Sequence, residues 1–138
     1  MTIIALYQAE HFEGVDRLWQ MVFPSDPARN RASNAIPAKL ALDDGLFWVA
    51  LDRDEAVIGT IMAGWDGHRG WLYTVAVDPA HQRTGCGRML VEHALEELRR
   101  RGCNKVNLQI RSGNEEVAEF YRTMGFTVEP RTSMGREL

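Results

Sequence analysis

Val75-Ala76-Val77-Asp78-Pro79-Ala80-His81-Gln82-Arg83-Thr84-Gly85-Cys86-Gly87 reads as a strand end, a bend at Asp78-Pro79 and a glycine-rich entry into a helix. The first turn of a helix carries unpaired N–H groups and the positive end of the macrodipole, so an entry of this kind attracts phosphate. Gly85 and Gly87 leave no side chain between the backbone and such a ligand. Taken alone the pattern is a weak signal, because a plain helix entry uses the same residue types.

The chain around this stretch has 138 residues, the size of one domain with a real core, and it reads as a single domain over residues 1–138. Hydrophobic residues make up 45% and charged residues 25%, a globular composition with no apolar run long enough to span a bilayer. Sixteen basic against 19 acidic residues give a net charge of -3, which argues against nucleic acid or an anionic membrane as partner. Met1 to Leu6 has no basic n-region and no cleavage site, so a cytoplasmic address is expected. The two cysteines, Cys86 and Cys103, are too few for a disulfide framework or a zinc site and are expected as free thiols; no metal is expected.

Upstream, Thr2 to Tyr7 suits a strand, and Phe12, Val15, Leu18, Trp19 and Val22 mark one face of a helix. Asp26-Pro27 predicts an N-cap with proline at the first helical position of a stretch from Ala28 to Ala35, which Pro37 should break or restart. This region, up to Asp43-Asp44-Gly45, is the least determinate and is expected to be mobile. Leu46–Leu51, Ala56–Trp65 and Trp71–Val77, separated by Asp52-Arg53-Asp54-Glu55 and Asp66-Gly67-His68-Arg69-Gly70, predict an antiparallel meander. Gly59 and Gly64 suggest a bulge or a close approach of another backbone or a ligand.

Downstream, Cys86 to Leu98 carries the strongest helical pattern, supported by Glu96–Arg100 and Glu97–Arg101 pairs and closed by Gly102. Lys105–Arg111 alternates as a strand, so strand, helix and strand imply a parallel crossover. Asn114 can cap a short helix that ends at Gly125, and Phe126–Glu129 and Ser133–Leu138 read as two last strands. Exposed edges there favour a homodimer.

With the chain laid out, Gln82-Arg83-Thr84-Gly85-Cys86-Gly87 resembles the Q/R-x-x-G-x-G/A signature of the GNAT superfamily of N-acetyltransferases. Val75-Ala76-Val77-Asp78-Pro79 resembles the strand and bend before that loop, and Asn114 with Ala118 to Phe126 resembles the family's Asn, A-x-x-F-Y and G-F pattern. The order of elements is also similar end to end. Asp66-Gly67-His68-Arg69-Gly70 and Arg101-Gly102-Cys103 look most like the small bacterial YpeA-type members. The resemblance implies a mixed α/β (α+β) fold: a central, mostly antiparallel sheet with a splayed parallel strand pair and flanking helices.

The resemblance further implies acetyl-CoA as co-substrate. Its binding residues would be Val75, Ala76, Val77, Gln82, Arg83, Thr84, Gly85, Cys86, Gly87, Arg88, Asn114 and Tyr121. Pyrophosphate would lie on the backbone of Arg83 to Arg88, and pantetheine would pair with the strand near Val75 and Val77. Tyr121 matches the tyrosine that often serves as general acid toward the departing thiolate. A base is harder to find, because Trp71, Tyr73 and Thr74 offer no carboxylate. Tyr73, Asp66, His68, Glu10 and Glu13 are the candidates, and an amine that arrives partly neutral needs none. Cys86 is rejected as a nucleophile, since its position places it beside the pyrophosphate and away from the acetyl group.

The acceptor, an amine of a small molecule or a protein, is expected beside Ser25–Asp44 and the Gly64–Gly70 turn, with Trp48, Trp65, Trp71 and Tyr73 as its aromatic lining. A non-catalytic acyl-CoA sensor is the rival reading. A modifier of RNA-bound amines is disfavoured by the acidic balance.

Overall fold

A computed structural model describes residues 1–138, which form two compact units, Met1–Leu108 and Gln109–Leu138. The first unit holds one sheet of five strands in sequential order: β1 (Ile3–Leu6), β2 (Phe47–Leu51), β3 (Val57–Trp65), β4 (Gly70–Val77) and β5 (Val106–Asn107). The first four are antiparallel neighbours, as the meander pattern predicts, and β4 pairs with β5 in parallel. Three helices accompany the sheet: α1 (Phe12–Val22), α2 (Ala32–Ala41) and α3 (Cys86–Arg100).

Side-chain alternation along β3 sorts these helices onto two faces. Thr60 and Met62 face α1, where Trp19 bonds Thr60 and where Val15, Leu18, Trp19, Ile36, Phe47, Val49 and Met62 share one core cluster. Gly59 faces α3 instead. A Cβ on it would stand 2.9 Å from Leu90 Cδ1 and 3.1 Å from the Ala76 carbonyl oxygen. The glycine thus lets α3 press against the sheet, and the close approach suggested by the sequence is that of a helix. Gly59→Ala is expected to cost about 1–3 kcal/mol through overpacking, read as a lower urea midpoint at unchanged m-value.

The segment between α1 and β2 departs from the sequence reading. Pro27 precedes a 3-10 turn at Ala28–Asn30 in extended conformation, Arg31 is extended again, and α2 starts only at Ala32. Pro37 does not break the helix but lies inside it. Pro37 and Ser33 are both exposed, so the carbonyl that loses its donor to the proline ring can face solvent, while Ala32, Ile36 and Lys39 anchor the opposite side. Lys39 is 5% exposed. Its ammonium donates to Asp44 Oδ2 at 2.8 Å and to the Ala63 carbonyl, tying this segment to β3.

Three further expectations need correction. Glu97 pairs with Arg101 at 2.9 Å, but Arg100 turns to Glu97 and Arg99 to Glu96 at i,i+3 spacing, so the Glu96–Arg100 pair is not formed. The strand expected over Lys105–Arg111 is only Val106–Asn107, because β5 diverges after pairing with Gly70 and Trp71. Phe126–Glu129 and Ser133–Leu138 form no strands: alternation is present, but no partner strand pairs with them. The case for a dimer through C-terminal edge strands loses its basis.

The second unit is built on α4 (Glu115–Thr123). Asn114 caps it by accepting the Val117 N–H at 3.3 Å, and Gly125 follows with φ +93°.

Candidate active site

The most informative feature of β4 is a change of phase. The Gly70 N–H donates to the Lys105 carbonyl on β5, whereas the Asp78 N–H donates to the Ile58 carbonyl on β3. In a regular strand two residues an even number apart point their amides to the same side. Here they point to opposite sides, so one extra residue must intervene. The register locates it: Thr60 pairs with Ala76 and Met62 with Tyr73, leaving Thr74 and Val75 opposite Ile61 alone. Thr74 carries the bend at φ +52°, an uncommon conformation for a β-branched residue.

The consequence is chemical. Beyond the bulge Ala76 and Asp78 face β3, so the amides of Val75 and Val77 face the other way. That side of β4 has no ladder partner past Trp71, since β5 pairs only with Gly70 and Trp71. A row of backbone donors and acceptors is left ready for an extended ligand.

The bulge is held from below. The Thr60 hydroxyl donates to the Thr74 carbonyl at 3.0 Å and accepts the Trp19 indole N–H at 2.9 Å, with Thr60 wholly buried. Sequence reasoning did not find Thr60, Trp19 or Thr74 as site residues. The available signal was a lone hydroxyl residue within an otherwise apolar strand.

The loop after β4 turns sharply. Asp78 Oδ1 accepts the Ala80 N–H at 2.9 Å and starts a 3-10 turn, Pro79–His81; the Thr84 hydroxyl donates to the His81 carbonyl. Arg83 (φ +65°) and Gly85 (φ +88°) then swing the chain into α3. The first bond of that helix runs from the Met89 N–H to the Gly85 carbonyl at 3.0 Å, so the amides of Gly85, Cys86 and Gly87 have no intrahelical acceptor. Nothing lies within 4 Å of the place a Cβ would take on Gly85. Gln82, Arg83, Thr84 and Arg88 are exposed around this cradle, and Arg88 also meets Glu92 at 3.3 Å. Cys86 is buried beneath it against Gly59, and burial pushes its thiol pKa up, the opposite of an activated nucleophile.

The aromatic residues expected to line one pocket divide between the two faces of the sheet. Trp48 is buried edge-on to His93 of α3, and Trp65 stands beside Gly102 at the end of that helix. Trp71 and Tyr73 lie on the opposite face and are exposed. Tyr73 crosses over Gly64, and the Lys39 ammonium sits 5.4 Å from its ring centre. Among the base candidates, Asp66 spends Oδ1 on the amides of His68 and Arg69, both at 2.8 Å. The Arg69 and His68 amide bonds hold its carboxyl below the usual range, which makes it a turn former and a poor base. His68, Glu10 and Glu13 are exposed.

In the second unit Tyr121 is buried, its ring edge-on to Phe120 and Phe126 at 5.0 and 5.5 Å. Burial pushes its phenol pKa up to about 12. The Asn114 side-chain oxygen is engaged as a helix cap.

A helix start with open space at Gly85 thus follows a bulged strand whose outer edge is unpaired. The model of the Acetyltransferase (GNAT) family matches residues 5–126. The chain belongs to that family. An acetyltransferase of Yersinia pestis (strain Pestoides F) is 31% identical over 139 residues, spanning 98% of this chain and 94% of the relative. An acetyltransferase of Sodalis glossinidius is 34% identical over 126 residues, spanning 91% and 87%. Among solved structures, AAC(6')-Iy in complex with the bisubstrate analog CoA-S-monomethyl-acetylneamine superposes with a TM-score of 0.80 at 16% identity, covering 100% and 99% of the two chains. The GNAT fold is thus present with its parallel β4–β5 pair, and the chain is an N-acetyltransferase. No helix is long and apolar enough to cross a membrane.

Proposed function

We propose that this GNAT protein moves the acetyl group of acetyl-CoA directly to a primary amine of a small molecule or a protein, as one domain over residues 1–138. The phase change at Thr74–Val75, immediately upstream of the Gly85 cradle, carries the reading. The two features suit the two ends of one ligand: an extended amide arm and a pyrophosphate.

The residues present fit acetyl-CoA. Val75 and Val77 present outward-facing backbone groups, with Ala76 between them turned to β3, and pantetheine can pair with them as an added strand. The amides of Gly85, Cys86 and Gly87 receive the pyrophosphate at the positive end of α3, and the open space at Gly85 admits it. Gln82, Thr84, Arg83 and Arg88 surround the phosphates, the arginines adding charge-assisted bonds. Asn114 is assigned to the cofactor by the family resemblance, and its side-chain oxygen is engaged in capping α4.

In the transfer the amine nitrogen bonds to the acetyl carbon, the C–S bond breaks, and the proton released from nitrogen ends on sulfur. The Val75 amide is the donor available to the carbonyl oxygen as it gains charge. The family resemblance assigns Tyr121 to the leaving sulfur; a phenol pushed up to about 12, set against a thiol of about 8.5, suits a hydrogen-bond donor there, and complete proton loss from it is unfavourable. With Asp66 committed to its turn, the amine enters partly neutral or gives its proton to water near Tyr73.

The acceptor enters on the Trp71–Tyr73 face, where Lys39 of α2 lies over the Tyr73 ring, and the YpeA-like turn at Asp66–Gly70 joins the two strands concerned. A cytoplasmic address belongs to the same proposal. Thiol release from acetyl-CoA, followed across a panel of polyamines, amino-sugar amines and peptide N-termini, tests the reading. At least one amine class is expected to raise release well above hydrolysis. Tight binding with no amine-dependent release in any class would favour the acyl-CoA sensor.

A further inference from the structure

We infer that Trp19 and Thr60 are positioning residues for the transfer: through the Thr74 carbonyl they hold the β4 bulge in the phase that turns the Val75 amide toward the thioester carbonyl. The inference rests on the proposed function and adds to it two residues that touch no ligand.

A bulge built on Thr74 is not self-sustaining. A β-branched residue at φ +52° is strained, and strain of that kind persists only where the surroundings over-determine it. The alternative is close at hand. If β4 ran on without the extra residue, every amide beyond Tyr73 would change sides, and Val75 would point into the ladder with β3 and away from the unpaired edge. The orientation of the one backbone donor best placed for the acetyl oxygen therefore depends on where the Thr74 carbonyl is kept.

Thr60 keeps it, and Trp19 fixes how. The indole N–H can only donate, so at 2.9 Å it obliges the Thr60 oxygen to accept. The hydroxyl has a single proton, and with the indole side taken as acceptor that proton goes to the Thr74 carbonyl at 3.0 Å. Thr60 is 0% and Trp19 4% exposed, so water does not compete for either bond. The relay runs from α1 through β3 to the bulge, all within the first unit. Val would fill nearly the same space as Thr60 but offers no proton to the Thr74 carbonyl and no lone pair to the Trp19 indole, so it keeps the shape and removes the relay.

The test uses Thr60→Val, Thr60→Ser and Trp19→Phe in the full chain, with acetyl-CoA carrying carbon-13 at the acetyl carbonyl. Isotope-edited infrared difference spectra read the polarisation of the bound carbonyl, and calorimetry reads affinity. In the unmodified protein the carbonyl band is expected below its position in free acetyl-CoA. In T60V it moves back toward the free position while affinity stays within about threefold; T60S restores it, and kcat with an active amine falls about tenfold or more in T60V alone. An unchanged band in T60V, or equal impairment of T60V and T60S, overturns the inference. Should T60V fail to fold, W19F keeps the aromatic packing and removes the indole donor: a partly displaced band supports the relay and an unchanged band overturns it. Absence of acetyl-CoA binding by the unmodified protein would defeat the functional reading as well, whereas binding with an undisplaced band defeats the relay alone.

Discussion

Gly85→Asp is expected to weaken acetyl-CoA binding by about a hundredfold, some 2.7 kcal/mol, while leaving the fold nearly as stable as before. Both halves follow from the same position. Gly85 has φ +88° with nothing within 4 Å of a Cβ, so a Cβ there meets no atom, and Asp is among the residues that tolerate left-handed backbone. A carboxylate at the start of α3 also gains about 0.3–1 kcal/mol from the helix dipole, which offsets much of the backbone strain. The pyrophosphate relies on that dipole too. A like charge placed about 4 Å from it in a partly exposed cradle costs about 2–3 kcal/mol after screening. Gly85→Asn, equal in shape and neutral, keeps most of the affinity, and added salt recovers part of the loss in G85D. Calorimetry and thermal melts on the three proteins check this; equal losses in G85D and G85N would place the phosphates elsewhere.

Tyr121→Phe is expected to lower kcat by about 10²–10³-fold with little change in the KM for acetyl-CoA, because in the proposed transfer the hydroxyl acts on charge that develops only as the C–S bond breaks. Phe retains the edge-on contacts with Phe120 and Phe126 and removes only the donor. The raised phenol sharpens the pH expectation. With its pKa pushed up from 10.0 to about 12, Tyr121 stays protonated through neutral and moderately alkaline solution, so any loss of rate before about pH 11 belongs to another group. The same burial links to stability with a definite sign. Below pH 10 the phenol is neutral in both folded and unfolded chains; between pH 10 and about 12 the unfolded chain ionises first, and the folded state loses stability. Y121F lacks that component, so its melting temperature falls less steeply over this range than that of the unmodified protein.

The parts of this fold that were legible in the sequence are those in which local pattern and tertiary environment agree. The apolar spacing from Phe12 to Val22 matches α1 at both ends, and the runs around Asp52–Glu55 and Asp66–Gly70 give the three-strand meander. Where tertiary contacts overrule local rules the reading failed. Pro37 sits inside α2 because its face is exposed while Ile36 and Lys39 are held by the core and by β3. The C-terminal segments alternate like strands but have nothing to pair with, and pairing is a property of two segments, which one segment's alternation cannot report.

The site divides the same way. The helix entry at Gly85 and the cap at Asn114 are legible because glycine at a helix entry and asparagine at a cap each have a local physical cause. The bulge is not. Its evidence is a parity difference between Gly70 and Asp78, visible only once both strand partners are known, and its support comes from Trp19, 41 residues away from Thr60 in sequence. The aromatic lining failed for a related reason: Trp48 and Trp65 alternate onto the α3 face, so shared hydrophobicity did not mean a shared pocket with Trp71 and Tyr73.

The central claim, that the bulged edge of β4 and the start of α3 together form an acetyl-CoA site, is tested most directly by calorimetric titration of the unmodified protein with acetyl-CoA. Saturable one-to-one binding in the micromolar range is expected, weakened in G85D and retained in T60V. No heat of binding with acetyl-CoA at millimolar concentration would contradict it.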